Sequence, residues 1–328
     1  FAAQIFSQIL GFGEYGFPES HSASFALLVY VSSWLKCHEP AAFAAALINS
    51  QPMGFYAPAQ LVRDARNHGV EVRPTSVLRS DCECTLERRD DGEPALRLGL
   101  RLVKSLSRVG AERIVAARVA GGTFSSVQDL TVRAALDRGD LEALADAGVL
   151  RELTGNRHLA FWEVAGSECE LPLAPRAARD EATPLIVPPT EGQNIVADYR
   201  ALGLTLGRHP VALLRGKMVH DQMLPAAELV HAKHGAPVRV AGIVITRQRP
   251  GSASGVTFVT LEDETGHVNL IVWERIGEIY RRPLHEARLL EARGELQREG
   301  LVTHVIVHQL VDRSVLLGDL VTRSRDFH

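Results

Sequence analysis

Two short acidic runs, Asp81-Cys82-Glu83 and Glu262-Asp263-Glu264, are the plausible candidates in this chain for holding a pair of divalent ions. Two-metal phosphoryl transfer needs such converging acids, so that the ions clamp the attacking and leaving oxygens. The first run lies beside an expected turn. The second closes an expected strand, where acids are normally solvated. No Gly-rich phosphate loop accompanies either. The cysteines Cys37, Cys82, Cys84 and Cys169 offer one close pair, tighter by one residue than a CxxC knuckle and unanswered by a second. They read as unbridged thiols of a reducing compartment. The 13 histidines form no HExxH or comparable cluster. The expectation is therefore no self-sufficient catalytic centre and no structural metal.

The chemistry the sequence does offer is phosphate recognition. Between Arg97 and Arg118 stand Arg97, Arg101, Lys104, Arg108, Arg113 and Arg118 against a single acid, Glu112, in a chain whose formal net charge is −3. A helix-hairpin-helix unit turns backbone N–H groups toward a phosphate between two short helices and adds nearby cations. Here the hairpin would fall at Ser105-Leu106-Ser107, and a second helix pair follows at LEALADAGVLREL around Gly148. The simpler alternative makes these cations the solvated face of an amphipathic helix. Further on, Arg247 and Arg249 flank the loop RPGSASG, and Phe258, Asn269 and Trp273 lie on the two strands after it. Aromatic stacking with positive loops is how single strands are held, although aromatics of a small barrel are also its core.

The elements that must position these residues change along the chain. Residues 1–75 read as helical: a first helix with Phe1, Ile5, Phe6, Ile9 and Leu10 at helical spacing, a Gly11-Phe12-Gly13 turn, and a second helix over about 20–37. Two more open at Pro40 and Pro58, the latter ending at Gly69. Residues 76–98 form a connector holding one or two short strands around the turn at Asp90. Residues 99–165 are short helices with tight turns. Residues 166–236 comprise a linker rich in Pro, Ala and charge, then a helical stretch broken at Arg208-His209-Pro210. From Pro237 the period becomes two: three strands, a short helix and two strands over 237–312 give the order of an OB-fold barrel, with Gly242 as the bend that lets the first strand serve both halves. Residues 313–328 form a tail. The fold class expected is multidomain α+β, with helical modules followed by a C-terminal OB barrel.

Bulk composition is ordinary, with 46% apolar and 23% charged residues. No run approaches the roughly 20 apolar residues that span a bilayer, and no signal-peptide pattern is present, so the default compartment is the cytoplasm. The start at Phe1, without Met and within an amphipathic helix, reads as the C-terminal piece of a longer polypeptide.

Taken together, GFGEYGFPESHSASFALLVYVSSWLKCHEPAAFAAALINSQPMGFY, LGLRLVKSLSRVGAERIVAAR, LGLTLGRHPVALLR and PVRVAGIVITRQRP with TFVTLEDETGHVNLIVW resemble the bacterial C-family DNA polymerases, and within them the error-prone, translesion branch (ImuC-type). The resemblance covers essentially the whole chain. It implies that residues 1–75 end a fingers domain, that 99–165 are a tandem helix-hairpin-helix domain holding duplex DNA, and that the OB domain meets single-stranded template or a partner protein. It implies that Ser20 and His21, at a helix N-terminus behind Phe17-Pro18, face the triphosphate of the incoming nucleotide. The alternative is that Ser20 caps the helix and His21 packs. Phe25, Leu28, Tyr30, Trp34 and Leu35 are then the buried face of that helix. The DNA-binding residues expected are Arg101, Lys104, Ser105, Ser107, Arg108, Arg113, Arg247, Arg249, Phe258 and Trp273.

The palm aspartates of such an enzyme would precede Phe1. Mg²⁺ and dNTPs are thus implied for a longer polypeptide, and the chain by itself is expected to give no primer extension. Pro18-Glu19 replaces the Asn-Lys of replicative members, putting a negative side chain where a positive one meets the triphosphate. Ser105 and Ser107 replace glycines of the first hairpin, which resists positive φ. No QLxLF-like clamp peptide lies between Gly166 and Pro237, so recruitment is implied through an ImuB-type adaptor with an ImuA-type companion, the sliding clamp being reached indirectly. The competing reading is a non-catalytic OB and helix-hairpin-helix scaffold of a repair complex. A tRNA-synthetase fragment would fit the barrel but not the Gly11–Tyr56 stretch.

Overall fold

The computed structural model describes residues 19–53, 56–167, 185–251, 255–300, 302–320 and 325–327, with the side chains of 19, 20 and 325–327 left out. The first expected helix and most of the linker lie outside the described residues. The chain divides into two compact units, Phe1–Leu102 with Ser107–Thr123 and Val103–Leu106 with Phe124–His328.

In the first unit α1 (Glu19–His38), α2 (Pro40–Asn49) and α3 (Pro58–Asn67) follow one another. Proline fixes the first turn of α2 and α3 at no cost in hydrogen bonds. Gly69, at φ 80°, takes the left-handed position after α3. α2 buries Ala41, Ala44, Ala45 and Ile48, one helical stripe, and docks on a small sheet through Asn49, whose side chain pairs with both backbone groups of Cys84. That sheet has three strands where one or two were expected: β1 (Val72–Arg73), β2 (Thr85–Arg88) and β3 (Pro94–Arg97), with β3 in the middle. Buried Arg97 grips Glu87 from β3 at 2.7 and 2.9 Å, and Arg73 adds a bond at 2.6 Å. Hydrogen bonds from Arg97, then Arg73, hold the Glu87 carboxyl down to about 2. Helix α4 (Arg108–Gly121) completes this unit with Ala111 and Ile114 inward.

One expectation is corrected on α1. Phe25, Leu28, Tyr30, Trp34 and Leu35 were assigned to a buried face, and all are exposed, Tyr30 at 70%. The physical reason is that nothing among the described residues packs along α1. It meets its neighbours near its C-terminal end, where Lys36 bonds Asp64 of α3 at 3.0 Å.

The second unit begins with α5 (Val127–Ala134), α6 (Arg138–Asp146), α7 (Arg151–Thr154) and α8 (Arg157–Gly166), then α9 (Glu191–Ala201) and α10 (Pro210–His220). Ser126, Asp137, Asn156 and Thr190 each accept the backbone N–H of the third helical residue, at 2.8–3.3 Å. Each such cap is worth about 1 kcal/mol, which explains how helices this short hold their ends.

The barrel follows: β4 (Pro237–Gln248), β5 (Thr257–Glu262), β6 (His267–Val272), the short helices α11 (Glu274–Ile279) and α12 (Arg281–Glu286), then β7 (Leu289–Glu299), β8 (Val302–Asp312) and β9 (Arg325–Phe327). The order β5-β6-β8-β7-β4-β9, with β5 also pairing β4, closes five strands on themselves. β4 serves both halves: 237–243 pair with β7 and 243–248 with β5, Ile243 belonging to both. Gly242 stands at that switch, where a Cβ would lie 2.7 Å from the Glu262 carbonyl oxygen. The interior is Val, Leu and Ala from alternate positions, including Val240, Val259, Leu261, Leu270, Leu296 and Val305. α9 and α10 cover Ala241, Ile243 and Leu289 on the outside of β4 and β7.

Candidate nucleic-acid interface

Neither acidic run is poised for two-metal chemistry. Asp81 accepts from Arg118 at 2.7 Å and Glu83 from Arg101 at 2.6 Å. Asp263 is buried, accepting backbone N–H groups of Ala226, Thr265 and Gly266 and the Arg215 guanidinium. Glu264 pairs with Arg215 as well, and Glu262 stands 3.2 Å from His209. Among the described residues no group of three or more His, Cys, Asp or Glu side chains is arranged to hold a metal ion. Nor is any described helix long and apolar enough to cross a membrane. Burial pushes the Cys84 thiol up, and its sulfur accepts the Gly99 N–H at 3.3 Å, a packing role.

The basic window separates into cations that hold protein and cations that face water. Arg101 donates to the Asn49 and Gln51 carbonyls as well as to Glu83. Lys104 donates to the Tyr199 and Arg200 carbonyls at the end of α9, at 3.1 and 3.0 Å. Arg118 bridges the Val77 and Ser80 carbonyls. Arg108 and Arg113 are exposed, as Arg101 and Lys104 also are, and Arg108 stands in an i,i+4 pair to Glu112 at 2.8 Å. Charge counting along a sequence does not reveal which guanidinium will cap a carbonyl.

At the expected hairpin the helix before Ser105 is a single 3-10 turn, Leu100–Leu102, and of the two serines only Ser105 takes a positive φ. Ser105 sits at φ 67°, in the left-handed region, and the Ser107 hydroxyl accepts the Gly110 N–H at 2.8 Å as the N-cap of α4. An L-residue pays about 1 kcal/mol for that φ. Ser105→Gly is accordingly expected to raise thermal stability by about 0.5–1 kcal/mol, read as a higher Tm. An unchanged or lower Tm would mean that residue 105 does not occupy the left-handed region. In the second helix pair Gly148, at φ 70°, leaves room for Arg157, whose Nη2 would stand 2.9 Å from a Cβ there.

On the barrel, Phe258 (36% exposed) faces outward from β5, and Trp273 (54%), expected on a strand, lies just past β6 as the residue that precedes α11. Cross-strand register places Phe258 beside Ile271 and Ile271 beside Ile306, with Thr260, Asn269 and His304 as the next row. Ile271, Ile306 and His304 escaped the sequence reading, although strict alternation from Phe258 and Asn269 would have put the first on this face. Arg249, also exposed, pairs with Glu274 at 3.2 Å beside a cleft of about 470 Å³ lined by Gly255, Gly277, Arg281 and His285.

Arg247 requires a correction. Expected at the mouth of the loop, it is 7% exposed and donates to the Leu284 and Ala287 carbonyls, 2.6 and 2.5 Å away, at the end of α12. A bulge between Val244 and Thr246 shifts the phase of β4, so the odd-numbered position 247 turns inward beside Val259. For the nucleotide expectation, the residues before Glu19 and the Ser20 side chain lie outside the described residues. The His21 ring is exposed and tilts against Phe25, centroids 4.2 Å apart.

The strand order and closure of the barrel, with Phe258 and Trp273 exposed outside it, are those of an OB-type domain. In line with that, residues 69–160 match the family described as helix-hairpin-helix motif, and residues 238–311 match the OB-fold nucleic acid binding domain. More particularly, the chain is a homologue of the error-prone DNA polymerases along all of its length. It is 59% identical over 328 residues to the error-prone DNA polymerase of Alkalilimnicola ehrlichii, 52% over 345 to that of Methylococcus capsulatus and 53% over 329 to that of Pseudomonas aeruginosa. In each comparison all of this chain is covered, and it spans about a third (32–33%) of the relative's length.

Proposed function

We propose that this chain is the DNA- and nucleotide-handling part of an error-prone DNA polymerase used in translesion synthesis and damage-induced mutagenesis. In this reading residues 1–75 end the fingers, with Ser20 and His21 toward the incoming dNTP. The helix-hairpin-helix region holds duplex DNA through backbone N–H groups near Ser105 and Ser107 with Arg108 and Arg113. The outer barrel face of Phe258, Ile271 and Trp273 takes single-stranded template. The polymerase as a whole would work in the cytoplasm as a DNA-directed nucleotidyltransferase with Mg²⁺ and dNTPs, recruited by an ImuB-type adaptor and an ImuA-type companion. Its palm carboxylates would belong to polypeptide other than these residues.

The observation that carries this reading is the outward pair Phe258 and Trp273, in a domain of nucleic-acid-binding type within a chain homologous to polymerases. Base–aromatic stacking is worth about 1–3 kcal/mol per base. Trp273→Ala is therefore expected to weaken binding of a labelled single-stranded oligonucleotide by roughly 5- to 150-fold in an anisotropy titration, with Phe258→Ala acting in the same direction. The scaffold reading, in which the same face meets protein, predicts that neither substitution changes DNA affinity.

A further inference from the structure

The face of β7 and β4, away from the aromatics, carries an arrangement that the proposed function does not use. Glu291 is 0% exposed, and three arginines from three segments converge on it. Arg239 of β4 and Arg293 of β7, directly paired across the strands, donate Nε–H to one carboxylate oxygen at 2.6 and 2.9 Å, and Arg313, just past β8, donates to the other at 2.7 Å. Burial pushes the Glu291 carboxyl up, but the hydrogen bonds from Arg239, Arg313 and Arg293 outweigh it and hold it below the usual carboxylate range.

One guanidinium neutralises a carboxylate. Three leave a surplus of two positive charges, of which Asp221, 3.9 Å from Arg313, offsets one. Each guanidinium has five N–H donors in a planar fork, and Glu291 takes only the Nε–H from each. Arg239 uses one terminal nitrogen on the Asp221 carbonyl, at the end of α10. The terminal donors of Arg293 and Arg313 lie on side chains that are 45% and 32% exposed. A buried carboxylate that orients three forks pre-organises them, which lowers the ordering cost of any oxyanion they meet.

We propose that Arg239, Arg293 and Arg313, oriented by Glu291, form a phosphate site for the backbone of a DNA strand. The strand arrives from the aromatic face, since β6 and β7 flank β8 and lie two strand spacings, about 10 Å, apart. Bases stack on β5 and β6 while the phosphodiester continues onto β7 and β4. This inference rests on the proposed DNA-handling role of the barrel.

The test uses the whole chain and a fluorescein-labelled oligo(dT), titrated by anisotropy at several salt concentrations. Arg293→Gln with Arg313→Gln leaves Arg239 to hold Glu291. This double variant is expected to reduce the slope of log K against log salt by about 1.4, since each single-strand phosphate contact contributes about 0.7. Arg293→Lys with Arg313→Lys keeps the charge and is expected to keep most of the slope. Glu291→Gln adds a unit of positive charge and is expected to tighten binding at low salt. Trp273→Ala, by contrast, weakens binding without altering the slope. If the Gln double variant keeps the parental Tm, affinity and slope while Trp273→Ala binds weakly, this site is refuted and the barrel reading stands. If the parent chain does not bind the oligonucleotide, both fall. Equal loss in the Gln and Lys variants, with a lowered Tm, would assign the arginines a structural role and overturn the proposal.

Discussion

Gly294→Ala is expected to unfold the barrel at temperatures where the parent chain is folded. A Cβ at position 294 would stand 2.0 Å from the Ile306 carbonyl oxygen, 2.8 Å from its carbon and 3.1 Å from a Val305 methyl. Two of those atoms are backbone in the middle of β8, so no side-chain rotation relieves the clash. The position is also where β7 and β8 change register: Arg293 pairs with Gln309 but Gly294 with Val307, which leaves His308 as the extra residue of a bulge. Bulges bend strands tightly enough to close a small barrel, and the close approach at Gly294 is part of that bend. Overpacking against flexible neighbours costs about 1–3 kcal/mol, and against fixed backbone about 3–5 kcal/mol is expected. The measurement is thermal unfolding followed by tryptophan fluorescence, with Trp273 reporting on the barrel. Gly216→Ala is the matched control. It lies in α10 with nothing within 4 Å of its Cβ and is expected to stabilise by up to about 1 kcal/mol. A Gly294→Ala chain as stable as the parent would mean that β7 and β8 do not approach as described.

How much of this was legible in the sequence depends on what kind of information each feature needs. The barrel strands follow from alternation, because a half-buried strand must place every second residue inside. Gly242 was identifiable as a bend for a related reason: an isolated glycine in an apolar alternating run is there for close backbone approach. Pro40 and Pro58 announce the starts of two short helices, whereas the caps Ser126, Asp137 and Thr190 went unread. Arg247 was misplaced because a bulge inserts one residue into the count, and alternation read across Ile245 then assigns the wrong face to everything after it. Arg101, Lys104 and Arg118 illustrate a second limit. Their charges are visible in the sequence, but the carbonyls they cap lie 38–96 positions away. The Glu291 cluster shows a third, since its four residues come from three segments and none of them is unusual in its own neighbourhood. The exposed α1 is the converse case. The sequence places a helix over about 20–37 but says nothing about what covers it.

Arg157→Leu is the second large effect expected, because it strands a carboxylate. Arg157 is 8% exposed and donates to Asp198 Oδ1 at 2.6 Å and to Asn194 Oδ1 at 2.6 Å, tying α8 to α9. Asp198 would keep a single described side-chain donor, the Thr205 hydroxyl at 2.7 Å. Breaking a buried pair from one side costs about 3–5 kcal/mol; the Asp198 side chain is 22% exposed, so partial hydration brings the expectation to about 2–4 kcal/mol. Asp198→Asn on the same background removes the stranded charge, and the double variant is expected to recover a substantial part of the loss, giving a coupling energy of about 1–3 kcal/mol in a double-mutant cycle. Equal, additive losses would refute the pairing. The consequence for function follows from position. Arg157 lies over Gly148, at the turn of the second helix pair, so the guanidinium that joins α8 to α9 also fills the space left open at that turn. Loss of Arg157 should therefore loosen the α6–α8 segment while leaving the barrel intact. On the proposed function, a DNA titration that separates the two is expected to show duplex affinity falling and single-strand affinity, assigned there to Phe258 and Trp273, retained.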